Sequence, residues 1–166
     1  MHIALYQPDI PQNTGTILRL AACMGVPVEI IAPTGFDMTD KALRRAGMDY
    51  LGHVTVLRHE SFAAFDEARR AGRRRLMLLT SHGGTSLQDA RFEASDILLL
   101  GRESAGVPEH VHALADARIA IPMRAGLRSL NIAVATGMAV WEALRQTGGL
   151  ADLDLDGAAK RLMPEG

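Results

Sequence analysis

RLMLLT at residues 75–80 and DILLLG at residues 96–101 decide the fold. Each run is apolar at consecutive positions, so a strand formed from it must be covered on both faces, as central strands are in a sheet with helices on either side. Four more short apolar runs, IALY (3–6), PVEIIA (27–32), HVTVL (53–57) and ARIAIP (117–122), bring the predicted strands to six. Helical periodicity lies between them at Asn13–Met24, Thr39–Ala46, Ser61–Ala71, Pro108–Ala113 and Asn131–Arg145, with several starts at Ser, Thr or Asn and several stops at Gly. Strand and helix in alternation predict an α/β fold: a mostly parallel sheet covered by helices on both faces.

The chain has 166 residues, 48% hydrophobic and 22% charged, which sets the expectation of a single domain. That domain is predicted over residues 1–147, followed by an acidic, flexible tail over 148–166 that opens at Gly148-Gly149. The start, MHIALYQPDIPQ, lacks the charged-then-apolar pattern of a targeting signal, and no run nears the ~20 apolar residues that span a bilayer. A soluble, cytoplasmic protein with no membrane partner is expected. The lone cysteine, Cys23, excludes an intramolecular disulfide and a zinc site built on cysteines.

A net charge of -1 gives no support to nucleic-acid binding, and without the last fifteen residues the chain holds 16 basic against 15 acidic residues. The positions of the arginines must therefore carry any such reading. Arg69, Arg70, Arg73, Arg74 and Arg75 form one cluster, but arginines near a helix end are equally a solvated face that favours the helix C-terminus. Arg124 and Arg128 sit in a loop and are the better candidates.

In an open α/β sheet, ligands bind beyond the carboxyl ends of the strands. Three glycine-bearing loops are expected there: SHGGTS (81–86), GRESAGVP (101–108) and MRAGLRSLN (123–131). Glycine lets a ligand approach the backbone, so together they predict a site lined largely by main chain, although each alone reads as an ordinary turn. GRESAGVP has phosphate-loop spacing, but Val107 and Pro108 stand where a phosphate loop needs Lys and Ser or Thr. No G-x-G-x-x-G follows the first strand and no G-x-S-x-G elbow occurs, which argues against dinucleotide-dependent and serine-hydrolase chemistry. His110 and His112 are two apart with no further ligand nearby, so no metal is expected. Asn13 in NTGTILR reads as a helix N-cap. The helix from Asn131, with Ala133, Ala135, Gly137, Ala139 and Ala143, admits close approach of another backbone, either within the fold or across a dimer.

Taken in order, N-x-G-x-x-x-R at Asn13, Gly15 and Arg19, LRRAGMDY at 43–50, LGRESAGVP at 100–108, and IPM with SLN at 121–123 and 129–131 resemble the SPOUT methyltransferases. The likeness runs from about Ile3 to Gln146 and is strongest to the small tRNA (cytidine/uridine-2′-O)-methyltransferases. It implies a C-terminal trefoil knot, S-adenosylmethionine as cofactor, and a homodimer joined by the long last helix. It also implies methylation of the ribose of wobble nucleotide 34 of tRNA, with leucine isoacceptors as expected substrates. Carried over by position, the cofactor contacts are Leu79, Gly101, Glu103, Ile121, Met123, Ser129, Leu130 and Asn131; the RNA contacts are Asn13, Arg124, Arg128 and Trp141; and Arg19 is the catalytic residue. A guanidinium stays protonated, so stabilising a developing alkoxide or holding a phosphate suits Arg19 better than acting as a base. Trp141 stands where relatives commonly have tyrosine and Thr16 where they have asparagine; an indole stacks but offers no hydroxyl. The alternatives are a related enzyme acting on ribosomal RNA or another tRNA position, and a non-catalytic RNA-binding dimer of the same fold.

Overall fold

A computed structural model of the protein describes residues 1–37, 41, 48–81, 83–151 and 153–154. The chain order is β1 (His2–Tyr6), α1 (Pro11–Met24), β2 (Val28–Ile31), a 3-10 helix (Met48–His53), β3 (Val56–His59) and α2 (Phe62–Ala71). It continues with β4 (Leu76–Leu79), β5 (Thr85–Ser86), β6 (Ile97–Leu100), α3 (Glu109–Leu114), β7 (Ala117–Ala120) and α4 (Ile132–Thr147). The strands form one sheet in the order β3-β2-β1-β6-β4-β7-β5, with every pairing parallel.

β6 lies between β1 and β4, and the two runs that decided the fold are the neighbours β4 and β6. Alternate residues face opposite layers. Ile3, Leu5, Val28, Ile30, Met77, Leu98, Leu100 and Ile119 pack with Ile17, Leu18 and Ala21 of α1 and Ala139, Val140 and Ala143 of α4. Ala4, Tyr6, Ile31, Leu76, Leu78, Ile97 and Leu99 pack on the other side with Phe65 of α2 and Val111 of α3. Burying one such leucine or isoleucine contributes about 1.5–3 kcal/mol, so both layers must form before the sheet is stable.

The structure corrects three expectations. β3 is Val56–His59 rather than 53–57, because its register is fixed by pairing Val28 with Val56, and His53 closes the 3-10 helix instead. β5 had no signal: two residues carry no periodicity, and Thr85 and Ser86 become a strand only by pairing with Ile119 and Ala120. α1 starts at Pro11 with Ile10 as its N-cap, so Asn13 lies inside the first turn and is not the cap. A ring at the first helical position presets φ where the missing N–H is no loss, which explains the earlier start. The helix expected over Thr39–Ala46 falls almost wholly outside the described residues. At the other end Leu150 packs against the core, just after Gly148 ends α4 at a φ of 78°.

Four of the five clustered arginines are paired within the fold. Arg69 bridges Asp66 and Asp116, Arg70 binds Asp66, Arg74 binds Glu29, and Arg75 binds Asp96 and Glu93. Glu29 is fully buried on β2, held by His2 at 2.7 Å, His59 at 2.8 Å and Arg74 at 2.9 Å. Burial alone raises its pKa, but the imidazole hydrogen bonds and the Arg74 charge outweigh it and hold the carboxyl below its ordinary range.

Candidate active site

A cavity of about 620 Å³ opens at the carboxyl edge of the sheet, where β4, β6 and β7 end. The end of β4 supplies Leu79, the loop after β6 supplies Gly101 and Glu103, and the loop after β7 supplies Ile121, Met123, Arg128, Ser129, Leu130 and Asn131. Asn13 of α1 completes that wall. All eight residues expected at the cofactor thus line one space, together with Asn13 and Arg128. The 81–86 loop contributes less than expected: Ser81 lines the cavity, whereas Gly84 turns against β7, where a Cβ would stand 2.5 Å from the Arg118 carbonyl oxygen.

The 101–106 loop closes on itself. Arg102 N–H donates to the Gly106 carbonyl at 3.0 Å, and Gly106 N–H donates to that of Arg102 at 2.7 Å. Gly106 has a φ of 67°, and a Cβ on Gly101 would lie 2.8 Å from the Gly106 Cα, so both glycines are required by this turn. The Arg102 side chain reaches back to β1, donating from Nε to the Gln7 carbonyl at 3.2 Å and from Nη2 to Gln7 Oε1 at 2.9 Å. Gln7 is held there at a φ of 45°, a left-handed conformation that costs a non-glycine residue about 1–3 kcal/mol.

A chain of side-chain hydrogen bonds ties the loops together. Asn131 Nδ2 donates to Asn13 Oδ1 at 3.0 Å, Asn13 Nδ2 donates to Glu103 Oε1 at 3.3 Å, and the Asp9 N–H donates to Glu103 Oε2 at 3.2 Å. Ser104 Oγ donates to Asp9 Oδ2. Asn131 also caps α4, its Oδ1 accepting from the N–H groups of Ala133 and Val134 at 2.9 and 3.3 Å. Burial, and then the Asp9 carboxyl, push Glu103 up; Asp9 is held down because hydrogen bonding with Glu103 and Ser104 outweighs its burial. Asp9, Arg102 and His112, which also lines the cavity, were not anticipated. Contacts separated by ninety or more positions leave no trace in local pattern, although Asp9 and Arg102 each stand in a segment already singled out.

Three expected residues stand elsewhere. Arg19 is about 240° around the α1 axis from Asn13 at 3.6 residues per turn, and its guanidinium lies 4.9 Å from the centre of the Tyr50 ring. That contact joins the N-x-G-x-x-x-R segment to the end of LRRAGMDY. Arg124 lines a second groove with Leu127, Leu130 and Met138, which adjoins the cavity through Met123, Arg128 and Ser129. Trp141 is 53% exposed on the outer face of α4, in line with Val134 and Met138. Among the described residues no group of three metal-ligating side chains occurs, and no helix is long and apolar enough to cross a membrane.

A parallel sheet whose carboxyl-edge loops line one cavity, with a basic loop on the rim, defines an α/β enzyme that binds a small organic cofactor. The chain belongs to the SpoU rRNA Methylase family, whose model matches residues 1–141. It is 58% identical over 149 residues to the tRNA (cytidine(34)-2′-O)-methyltransferase of Beijerinckia indica, covering 90% of this chain and 93% of that one. The enzyme of the same description from Escherichia coli K12 is 42% identical, with 89% and 94% covered. A solved structure concerned with the 2-OH methylation of C/U34 on tRNA superposes with a TM-score of 0.83 at 48% identity, covering 87% of this chain and 94% of that one. The SpoU methyltransferase AviRb of Streptomyces viridochromogenes, crystallised with AdoMet, has a TM-score of 0.79 at 30% identity, with 88% of this chain and 57% of that one covered.

Proposed function

We propose that the protein transfers a methyl group from S-adenosylmethionine to the ribose 2′-hydroxyl of the wobble nucleotide, cytidine or uridine 34, of tRNA. The observation that carries this reading is identity of 56–58% over 90% of the chain to relatives named for that reaction. The cavity fits the cofactor. Its volume of about 620 Å³ suits a drug-sized ligand, and its wall includes Gly101 and Gly106, which present no side chain to it. When bound, the cofactor supplies an electrophilic methyl group on a sulfonium.

The chain's own residues hold and orient. Leu79, Gly101, Ile121, Met123, Ser129 and Leu130 form the cofactor wall, with Glu103 and Asn131 beside it. Asn13, Arg124, Arg128 and Trp141 meet the RNA, and Arg19 stabilises the negative charge that develops on the ribose oxygen. A homodimer forms through α4, supported by the exposed stripe of Val134, Met138 and Trp141 and the apolar Leu127 and Leu130 beside it. The C-terminal part of the sheet is tied in a trefoil knot, a reading supported by the insertion of β6 between β1 and β4. The domain spans 1–147 with the acidic segment appended, and the enzyme works in the cytoplasm, where its substrate is.

Incubating the purified protein with labelled S-adenosylmethionine and tRNA lacking the modification, then mapping the labelled nucleotide, tests this reading. Label at position 34 is expected. Label in ribosomal RNA alone overturns the substrate assignment.

A further inference from the structure

Methylating a hydroxyl releases a proton. The oxygen–hydrogen bond breaks as the oxygen–methyl bond forms, the electron pair of the broken sulfur–methyl bond stays on sulfur, and the proton needs an acceptor. Arg19 cannot serve, because a guanidinium has no free site for it. Glu103 lines the cavity, half-buried, and its Oε2 accepts from the Asp9 N–H at 3.2 Å. We infer that Glu103, in the cavity wall, accepts the proton lost by the ribose hydroxyl, and that Asp9, outside that wall, is a positioning residue acting through Glu103.

Three features carry this inference, which rests on the methyltransferase reading above. First, Asp9 Oδ1 is buried and receives no hydrogen bond from any donor among the described residues, a costly state for a carboxylate oxygen. A proton on the adjoining Glu103 carboxyl satisfies it, so the pair is built to hold one proton. Second, Asp9 cannot turn away. Its Oδ2 accepts from Ser104, and Gly35 packs so closely behind it that a Cβ there would lie 2.7 Å from the Asp9 Cβ. Third, Glu103 is the carboxyl of the pair pushed up, and an acceptor works best when its proton affinity is raised toward the operating pH.

Among the described residues, Arg102 stands by the pair, its Nε 4.0 Å from Asp9 Oδ2, and Arg128 and His112 line the same cavity as Glu103. Arg102 beside Asp9 favours the ionised pair, in which Glu103 is unprotonated and takes up the one proton the pair then holds.

The test pairs single-turnover methylation of unmodified tRNA across pH with a carbon-13 titration of the side-chain carboxyls in the protein alone. For the wild type, the rate is expected to rise with pH along a limb matching the Glu103 titration, above the ordinary carboxylate range. Glu103→Gln is expected to lose roughly a hundredfold or more in rate, together with that limb. Asp9→Asn is expected to move both the limb and the Glu103 titration to lower pH, which a merely structural role would not do. Should Glu103→Gln fail to fold, Asp9→Asn carries the test alone. A Glu103→Gln enzyme that keeps its rate and limb, or an Asp9→Asn enzyme in which neither limb nor titration moves, overturns the inference. A wild type that methylates no RNA instead overturns the reaction itself, and an ordinary Glu103 titration overturns the pairing independently of activity.

Discussion

Arg19 and Glu29 show how differently one charged side chain can act in this protein. Arg19 is exposed and stacks on Tyr50, outside the cavity of its own chain, so its removal should leave the core intact. Arg19→Ala is predicted to fold and bind cofactor normally while losing roughly a hundredfold or more in turnover, measured by cofactor calorimetry beside initial rates; near-normal methylation removes Arg19 from the mechanism. Glu29 is the reverse case, a carboxylate sealed in the fold by two histidines and an arginine. Its folded pKa lies below the ordinary 4.5, so the unfolded chain takes up the proton first as pH falls. The stability it contributes is fully present above about 4.5 and drains away as pH drops through the folded value. Denaturant midpoints measured from pH 7 to pH 3 should therefore fall more steeply for the wild type than for Glu29→Gln.

Two helix caps allow a comparison of elements. Ser61 caps α2, accepting from the Ala64 N–H at 3.2 Å, and Asn131 caps α4 in the same manner. Replacing either with alanine should destabilise the protein by about 1 kcal/mol, read from denaturant midpoints. Only Asn131→Ala should also weaken cofactor affinity, because Asn131 alone links the helix start to Asn13 and Glu103 at the cavity. Equal effects of both variants on affinity would show that the link does not organise the site. The loop after β7 offers a second test at this scale, since Arg124 and Arg128 sit on its two arms at the rim. Replacing each with alanine should flatten the slope of log affinity for tRNA against log salt by roughly 0.7–0.9 per lost phosphate contact; an unchanged slope means the loop does not touch the backbone.

For the whole molecule, the exposed face of α4 is the decisive feature. Val134, Met138 and Trp141, at 55, 44 and 53% exposure, follow a spacing of four and three residues and so share one side of the helix. Trp141→Glu places a charge at the C-terminal end of that stripe and, on the dimer reading proposed above, is predicted to shift the protein from dimer to monomer in sedimentation at micromolar concentration. A variant that stays dimeric assigns the contact to another surface. The acid pair at Asp9 and Glu103 and the buried Glu29 cluster lie on separate parts of the sheet, so changes at one should add to changes at the other.

The residue order by itself determined the α/β class, five of the seven strands to within one or two positions, and the glycine loops at the carboxyl edge. Apolar runs, caps and turn glycines act over a few residues, and that is the range over which a linear pattern speaks. LMLL and ILLL could be read as central strands because a strand buried on both faces has no polar alternative. Only the tertiary structure decided that Thr85 and Ser86 form a strand, that β3 shifts to pair with β2, and that Asn13 is a bridge rather than a cap. It alone brought Asp9 to Glu103, and it turned most of the arginine cluster into internal ion pairs. Each of these depends on contacts between residues far apart in the chain, and such contacts exist only once the sheet has set the register that places them side by side.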